Sequence, residues 1–318
     1  MAGAKHRKRI KVSKMTKFKL GMNCGFAINR FPEPEVWLRI VGKDLGLRYA
    51  QYVADLLNPF LPNEVVNQEI AKLKKNAAKY EVKIDTTFTS TFTRVNHLMH
   101  PDELQRKVWF NWWKRWFEIS ARLGARGSGG HFGILSVADF NDPKRRNFLI
   151  EEAINSWRRL AHFGAKLGFE FLIFEPMSIP REMACTIDST RKLLERLNEG
   201  DLPIPIRLCL DVDHGDLASS DPRDTNPYAW LKELAHLAPV IHIKQSTKDK
   251  SAHWPFTEKY NKIGVISPPR VMEAIEKSGA EEVVLLFEIS HRERYPMEYQ
   301  VLDDLKKSVE YWRKYIKD

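Results

Sequence analysis

Phe171-Leu-Ile-Phe-Glu175, Ile206-Arg-Leu-Cys-Leu-Asp211, Val240-Ile-His242 and Val283-Val-Leu-Leu-Phe-Glu288 share one design, a short apolar run that ends on an acid or an imidazole. A run this short, rich in β-branched or aromatic residues, reads as a strand buried on both faces, the kind found in parallel sheets. A charged side chain placed last on such a strand projects from the carboxyl edge of the sheet. With a helical segment between each pair, the four runs describe successive β/α units whose strand ends converge at one mouth.

Outward from these runs the alternation extends from residue 18 to the end of the chain, with no Ser/Gly/Pro-rich linker to divide it. Strands are expected near 18–24, 47–54, 82–88, 126–132, 170–175, 206–212, 239–244 and 283–288. Eight is the number that closes a barrel, so the expected fold is α/β, a single (β/α)8 TIM barrel with parallel strands over residues 17–318. Helices are expected at 64–79, 102–123, 143–167, 187–198, 226–237, 267–278 and 300–316. Pro101, Pro227 and the Pro268–Pro269 pair fall near helix starts, where a missing N–H costs little. The helix carrying Trp109, Phe110, Trp112, Trp113, Trp116 and Phe117 is apolar almost all round. Packing against the barrel is the first reading of it, and a homo-oligomer interface the second.

The 318 residues and the 43% apolar fraction suffice for one large barrel. No apolar stretch is long enough to cross a bilayer, and no apolar segment follows the N-terminal charges as in a signal peptide, so a cytoplasmic protein without membrane contact is expected. Cys24, Cys185 and Cys209 are odd in number and lack CxxC spacing, which argues against a disulfide framework or a zinc ribbon. The formal net charge is +10, but residues 1–17 hold seven Lys or Arg and no acid, so the rest of the chain carries only +3. Residues 1–16 are therefore expected to form a basic, poorly ordered tail outside the barrel and dispensable for catalysis, and the charge distribution argues against nucleic acid as partner.

Glu175, Asp211, His242 and Glu288 make an oxygen-rich donor set with one nitrogen. Such a set suits one divalent metal ion that is not strongly thiophilic, with Mn²⁺, Mg²⁺, Co²⁺ and Zn²⁺ all compatible. Asp213 and Asp216 compete for the aspartate position, and Asp211 is preferred because it ends the apolar run. His214, three residues after Asp211, is close enough to ligate or to donate to a bound oxygen. Each residue alone has an ordinary reading, a satisfied core histidine or a barrel-mouth ion pair. Four in register at successive strand ends favour the shared site.

In the order Glu, Asp-x-x-His, His, Glu, these residues resemble the xylose-isomerase-like barrel superfamily. Longer segments resemble its sugar-phosphate isomerase/epimerase group, which includes a tetrulose-phosphate racemase of erythritol catabolism. They are Phe174-Glu-Pro-Met-Ser-Ile-Pro-Arg-Glu182, Arg207-Leu-Cys-Leu-Asp-Val-Asp-His214, Pro227-Tyr-Ala-Trp-Leu231, His253-Trp-Pro-Phe-Thr257 and Asn96-His-Leu-Met-His-Pro-Asp102. The resemblance implies metal-dependent epimerisation or isomerisation of a sugar phosphate. It also contains zinc endonucleases acting on abasic DNA, but their Asp-x-His pair before an Ile-Gly is replaced here by Glu258 and Tyr260 in Glu258-Lys-Tyr-Asn-Lys-Ile-Gly264. An inosose-type dehydratase, which forms the same enolate but expels a hydroxyl, is the main rival among enzymes.

Inverting a carbon beside a ketone needs a proton taken from one face and returned to the other, and two carboxylates do this most simply. The resemblance assigns these catalytic roles to Glu175 and Glu288, both also metal ligands, with the cation as Lewis acid for a cis-enediolate. Arg181, six residues after Glu175, and Lys248, six after His242, are expected to hold a substrate phosphate; the alternative for both is an exposed loop charge, which for Lys248 has equal weight. His131, His214, His253 and Trp254 complete the expected substrate contacts, the indole stacking on the carbon skeleton.

Overall fold

The protein is described by a computed structural model covering residues 15–90, 94–249, 251–295 and 297–317. Eight parallel strands close into a barrel in sequence order: β1 (Lys17–Asn23), β2 (Tyr49–Val53), β3 (Lys83–Phe88), β4 (Gly127–His131), β5 (Phe171–Glu175), β6 (Ile206–Asp211), β7 (Val240–Ile243) and β8 (Glu282–Phe287). Each lies within two residues of its expected bounds. Around them run α1 (Pro34–Arg39), α2 (Asn63–Lys79), α3 (Glu103–Arg122), α4 (Val137–Asn141), α5 (Pro143–Lys166), α6 (Ile187–Leu197), α7 (Pro227–Leu234), α8 (Glu258–Asn261), α9 (Pro268–Ser278) and α10 (Glu298–Arg313). Among the described residues no helix is long and apolar enough to cross a membrane. The expected basic tail lies, from residue 1 to 14, outside the described residues, while the Thr16 hydroxyl donates to the Ala280 carbonyl at 2.6 Å.

The helices start where the chain offers a cap. Asp102 accepts from Gln105 N, Asp142 accepts from Lys144 N and Arg145 N, and Thr186 forms a capping box with Ser189. Three helices had no expected counterpart: α1, α4 and α8. All are six residues or fewer, too short to show a helical period. The segment from α1 into the π-helical turn Ile40–Asp44 nevertheless buries Trp37, Leu38, Ile40 and Val41, and so supplies the missing cover between β1 and β2. The aromatic helix α3 packs inward. Trp112, Trp113, Trp116 and Phe117 are fully buried, and the Trp113 and Trp157 rings sit 5.2 Å apart between α3 and α5.

Two features hold the barrel strands in register. At the amino-terminal end Asp85 on β3, almost fully buried, takes two hydrogen bonds from Arg126, at 2.9 and 2.8 Å, and an ion pair from Lys83 at 2.8 Å. Burial alone would raise the Asp85 carboxyl, but these contacts outweigh it and hold it below the usual carboxylate range. In β4, Gly127-Ser-Gly-Gly-His131, the lack of side chains lets the backbones close: a Cβ on Gly129 would lie 1.7 Å from the Ile173 carbonyl oxygen.

Gly129→Ala is expected to cost more than about 3 kcal/mol or to prevent folding, since backbone rather than a movable side chain blocks the added carbon. A thermal melt within 1 kcal/mol of the parent, an order-of-magnitude threshold for a tolerated substitution, would contradict this. Asp85→Asn is expected to cost about 2 kcal/mol near neutral pH, because Arg126 and Lys83 lose the buried carboxylate they share and Arg126 keeps only its ion pair with Glu170. The folded carboxyl titrates below its unfolded value, so its contribution is present above about pH 4 and is lost as pH falls through the folded value. Denaturant unfolding of the two proteins should therefore converge on acidification.

Candidate active site

The parallel register brings the functional side chains to one height. Across β4 and β5, His131 pairs with Glu175, and across β6 and β7, Asp211 pairs with His242. Glu288 follows β8, tied to β7 by its N–H on the Ile243 carbonyl at 3.0 Å. Glu175, Asp211, His242 and Glu288 each present one ligand atom, and the four atoms lie within 4.8 Å of one another. The expected cluster is thus assembled.

His242 stands at its centre. Its Nδ1 is 2.9 Å from Glu175 Oε1, 3.5 Å from Glu288 Oε1 and 3.9 Å from Asp211 Oδ2. Its Nε2 donates to Gln51 Oε1 at 2.7 Å. That oxygen also accepts from Asn23 Nδ2 at 2.8 Å, while Gln51 Nε2 donates to Thr86 Oγ1, so the carboxamide orientation is fixed with its oxygen toward the imidazole N–H. The arrangement turns Nδ1 toward the carboxylates, as a metal-binding imidazole requires. Cys209 Sγ lies 3.4 Å from Nε2 and offers an alternative donor, but burial pushes its thiol up to about 11 and keeps it protonated, so the carboxylate set is the better cation site. Among the described residues, every His/Cys/Asp/Glu group close enough to hold an ion includes Glu175 and His242.

Burial pushes Asp211 up to about 6, although His214 and Lys244 oppose it. Burial would also raise Glu175 and Glu288, but there the neighbouring histidines and Lys244 win. His214, His242 and the His131 hydrogen bond hold Glu175 well below the usual range, and His242 and Lys244 do the same for Glu288.

Around the cluster, His131 Nε2 is 3.2 Å from Glu175 Oε2, and His253 Nδ1 is 3.6 Å from Glu288 Oε2. His214 Nδ1 donates to the Pro176 carbonyl at 2.9 Å and leaves Nε2 3.7 Å from Asp211 Oδ2. All three histidines line the cavity of about 250 Å³ onto which Glu175 and Glu288 open. The other expected contacts lie elsewhere. Arg181 Nη1 donates to the Leu135 carbonyl at 2.6 Å, Lys248 lines a neighbouring cavity of about 720 Å³, and the Trp254 ring stacks on Tyr260 at 4.8 Å. None of these three lines the cavity of the two glutamates. Asp213 accepts from Ser246, Ser251 and Ala252 N, and Asp216 accepts from Ala218 N, so both serve their loops.

Three residues that are not among the expected site residues stand beside the cluster, one of them, Lys244, a cation that its place near the strand sets apart from the expected phosphate-binding pair. Gln51 is the lone polar residue in Tyr49-Ala-Gln-Tyr-Val53, a signal open to reading. Arg94 lines the cavity from the loop after β3, its Nε and Nη2 held by buried Glu182 at 3.1 and 3.3 Å. Lys244 is fully buried and donates to both Asp211 Oδ2 and Glu288 Oε2, the latter at 2.6 Å.

Comparison with known proteins agrees with this geometry. Residues 41–315 match the family described as xylose isomerase-like TIM barrel. The D-erythrulose 1-phosphate 3-epimerase of Brucella abortus (strain 2308) is 35% identical over 297 residues, covering 93% of this chain and 96% of that protein. A xylose isomerase candidate from Rhodospirillum rubrum superposes with a TM-score of 0.83 at 26% identity, over 94% of this chain and all of that one. The D-psicose 3-epimerase of Clostridium cellulolyticum shares the fold, with a TM-score of 0.68 at 14% identity over 94% of this chain and all of that one. With its closed barrel, its four strand-end donors and this match over most of its length, the chain belongs to the xylose isomerase-like TIM barrel family.

Proposed function

We propose that this protein is a sugar-phosphate epimerase that inverts the hydroxyl-bearing carbon beside the ketone of a short ketose phosphate, a tetrulose phosphate being the first candidate. The observation that carries this reading is that Glu175 and Glu288 open onto one cavity with His242 Nδ1 between them, 2.9 and 3.5 Å from their nearer oxygens. One glutamate, as the carboxylate, removes the proton to give a cis-enediolate, and the other, having first taken up a proton from its neighbouring histidine, delivers that different proton to the opposite face. Each turnover leaves the proton on the opposite carboxylate. His131 beside Glu175 and His253 beside Glu288 both line the cavity and give each acid a path for exchange. Glu175, Asp211, His242 and Glu288 would hold one divalent ion, whose Lewis acidity lowers the cost of the enediolate.

The relative named for D-erythrulose 1-phosphate supports the substrate class, and so does size. A cavity of about 250 Å³ falls just below the range of drug-sized pockets, roughly 300–1,000 Å³, and suits a four-carbon skeleton. Arg94, fixed by Glu182, is the guanidinium placed to take the phosphate.

Glu175→Gln and Glu288→Gln are each expected to lower epimerisation of a tetrulose phosphate by about 10²–10⁴-fold. One of them is expected to retain exchange of the substrate proton with D₂O, read by NMR; no deuterium uptake by the parent enzyme with any ketose or ketose phosphate would sink the reading. Arg94→Ala should raise KM for the phosphorylated substrate by roughly 10–100-fold, the worth of a charged hydrogen bond, and leave the free sugar nearly unchanged. Equal losses on both substrates would remove Arg94 from phosphate binding. Gln51→Leu is expected to weaken divalent-metal binding by about 10–100-fold, because the imidazole loses the acceptor that orients it. Calorimetric titration of the chelator-treated protein measures this, and an unchanged affinity would contradict it.

A further inference from the structure

Lys244 lies two residues after His242, so both side chains leave β7 on the same side of the sheet, the lysine one pleat nearer the mouth. Its ammonium is fully buried, and two of its acceptors are Asp211 Oδ2 and Glu288 Oε2, carboxylates that also belong to the four-residue donor cluster. A buried lysine is costly unless it answers buried negative charge. Here three carboxylates, Glu175, Asp211 and Glu288, surround one imidazole. One ammonium cancels one of those charges, and a divalent ion would cancel the other two.

The contacts also have a direction. By holding Glu288 Oε2, the ammonium leaves Oε1 turned toward His242 Nδ1 at 3.5 Å. It thus fixes the rotamer of a carboxylate that must meet the substrate carbon. The same contacts set a cation directly against two of the carboxylates a metal ion would use, where like charges a few ångströms apart repel.

We propose that Lys244 is a positioning residue and built-in counter-ion of the site: it aims Glu288 and Asp211, and its charge holds metal affinity below what the four donors alone would give. This inference rests on the metal reading of the cluster. It makes a prediction opposite in sign to that for a lysine that merely supports the fold, whose loss would loosen the donors and weaken metal binding.

The test is Mn²⁺ titration of chelator-treated, full-length protein by calorimetry, with the parent, Lys244→Met and Lys244→Gln compared. Both neutral variants are expected to bind Mn²⁺ at least about tenfold more tightly than the parent, from the loss of one like charge at close range. Both should also show a larger Mn²⁺-induced rise in melting temperature, and a kcat at least about 100-fold lower, from misdirection of Glu288. If Lys244→Met does not fold without metal, Lys244→Gln and a chelator-competition measurement on the metal-refolded Lys244→Met protein give the same comparison. Tighter binding in either neutral variant supports the inference. Unchanged or weaker Mn²⁺ binding in both, with the parent binding normally, overturns it and leaves the metal reading standing. Absence of Mn²⁺ binding in all three proteins overturns the metal reading and this inference together.

Discussion

Three carboxylates meet in the interior of this barrel, and their mutual repulsion is the constraint that the rest of the mouth answers. Glu175 and Asp211 are almost entirely buried, and Glu288 is partly shielded beside them. Like charges about 4 Å apart repel by about 4 kcal/mol per pair even at an effective dielectric near 20. Such a cluster persists only if cations or donors surround it. His131 and His214 approach Glu175 and Asp211, His242 touches all three acids, and Lys244 bridges Asp211 and Glu288.

The barrel makes this crowding possible because its strands are parallel and in register. Residues on adjacent strands, such as Asp211 and His242, emerge side by side at the carboxyl end, and the rigid sheet holds them there. Stability is supplied at the other end and in the outer layer, by Asp85 with Arg126, by the glycine backbone of β4 and by the tryptophans of α3. That division leaves the mouth free to hold an electrostatically strained constellation.

Much of this was legible in the chain because period and strand length are local properties. Apolar runs ending on Glu175, Asp211, His242 and Glu288 announce both the strands and their outward-facing ends. The π-helical turn after α1, and the short helices α4 and α8, were not legible, because fewer than two turns show no period. Distances across the mouth were not legible either. Arg181 and Lys248 have the spacing of rim cations, yet a six-residue offset from a strand end does not say where a long side chain turns, and Arg181 turns to Leu135. Lys244 could be placed by alternation on the same side as His242, but its bridging of two acids depends on the neighbouring strands. Arg94 entered from a loop after β3 that carries no strand-end acid.

On the proposed reading, Glu175, Asp211, His242 and Glu288 hold a single divalent cation at the centre of the barrel mouth. Anomalous scattering from crystals soaked in Mn²⁺ tests it most directly. One strong peak enclosed by those four side chains, with Gln51 still accepting from His242 Nε2, is the expected result. A peak at any other place, or no peak in crystals where the four side chains are ordered, would contradict it.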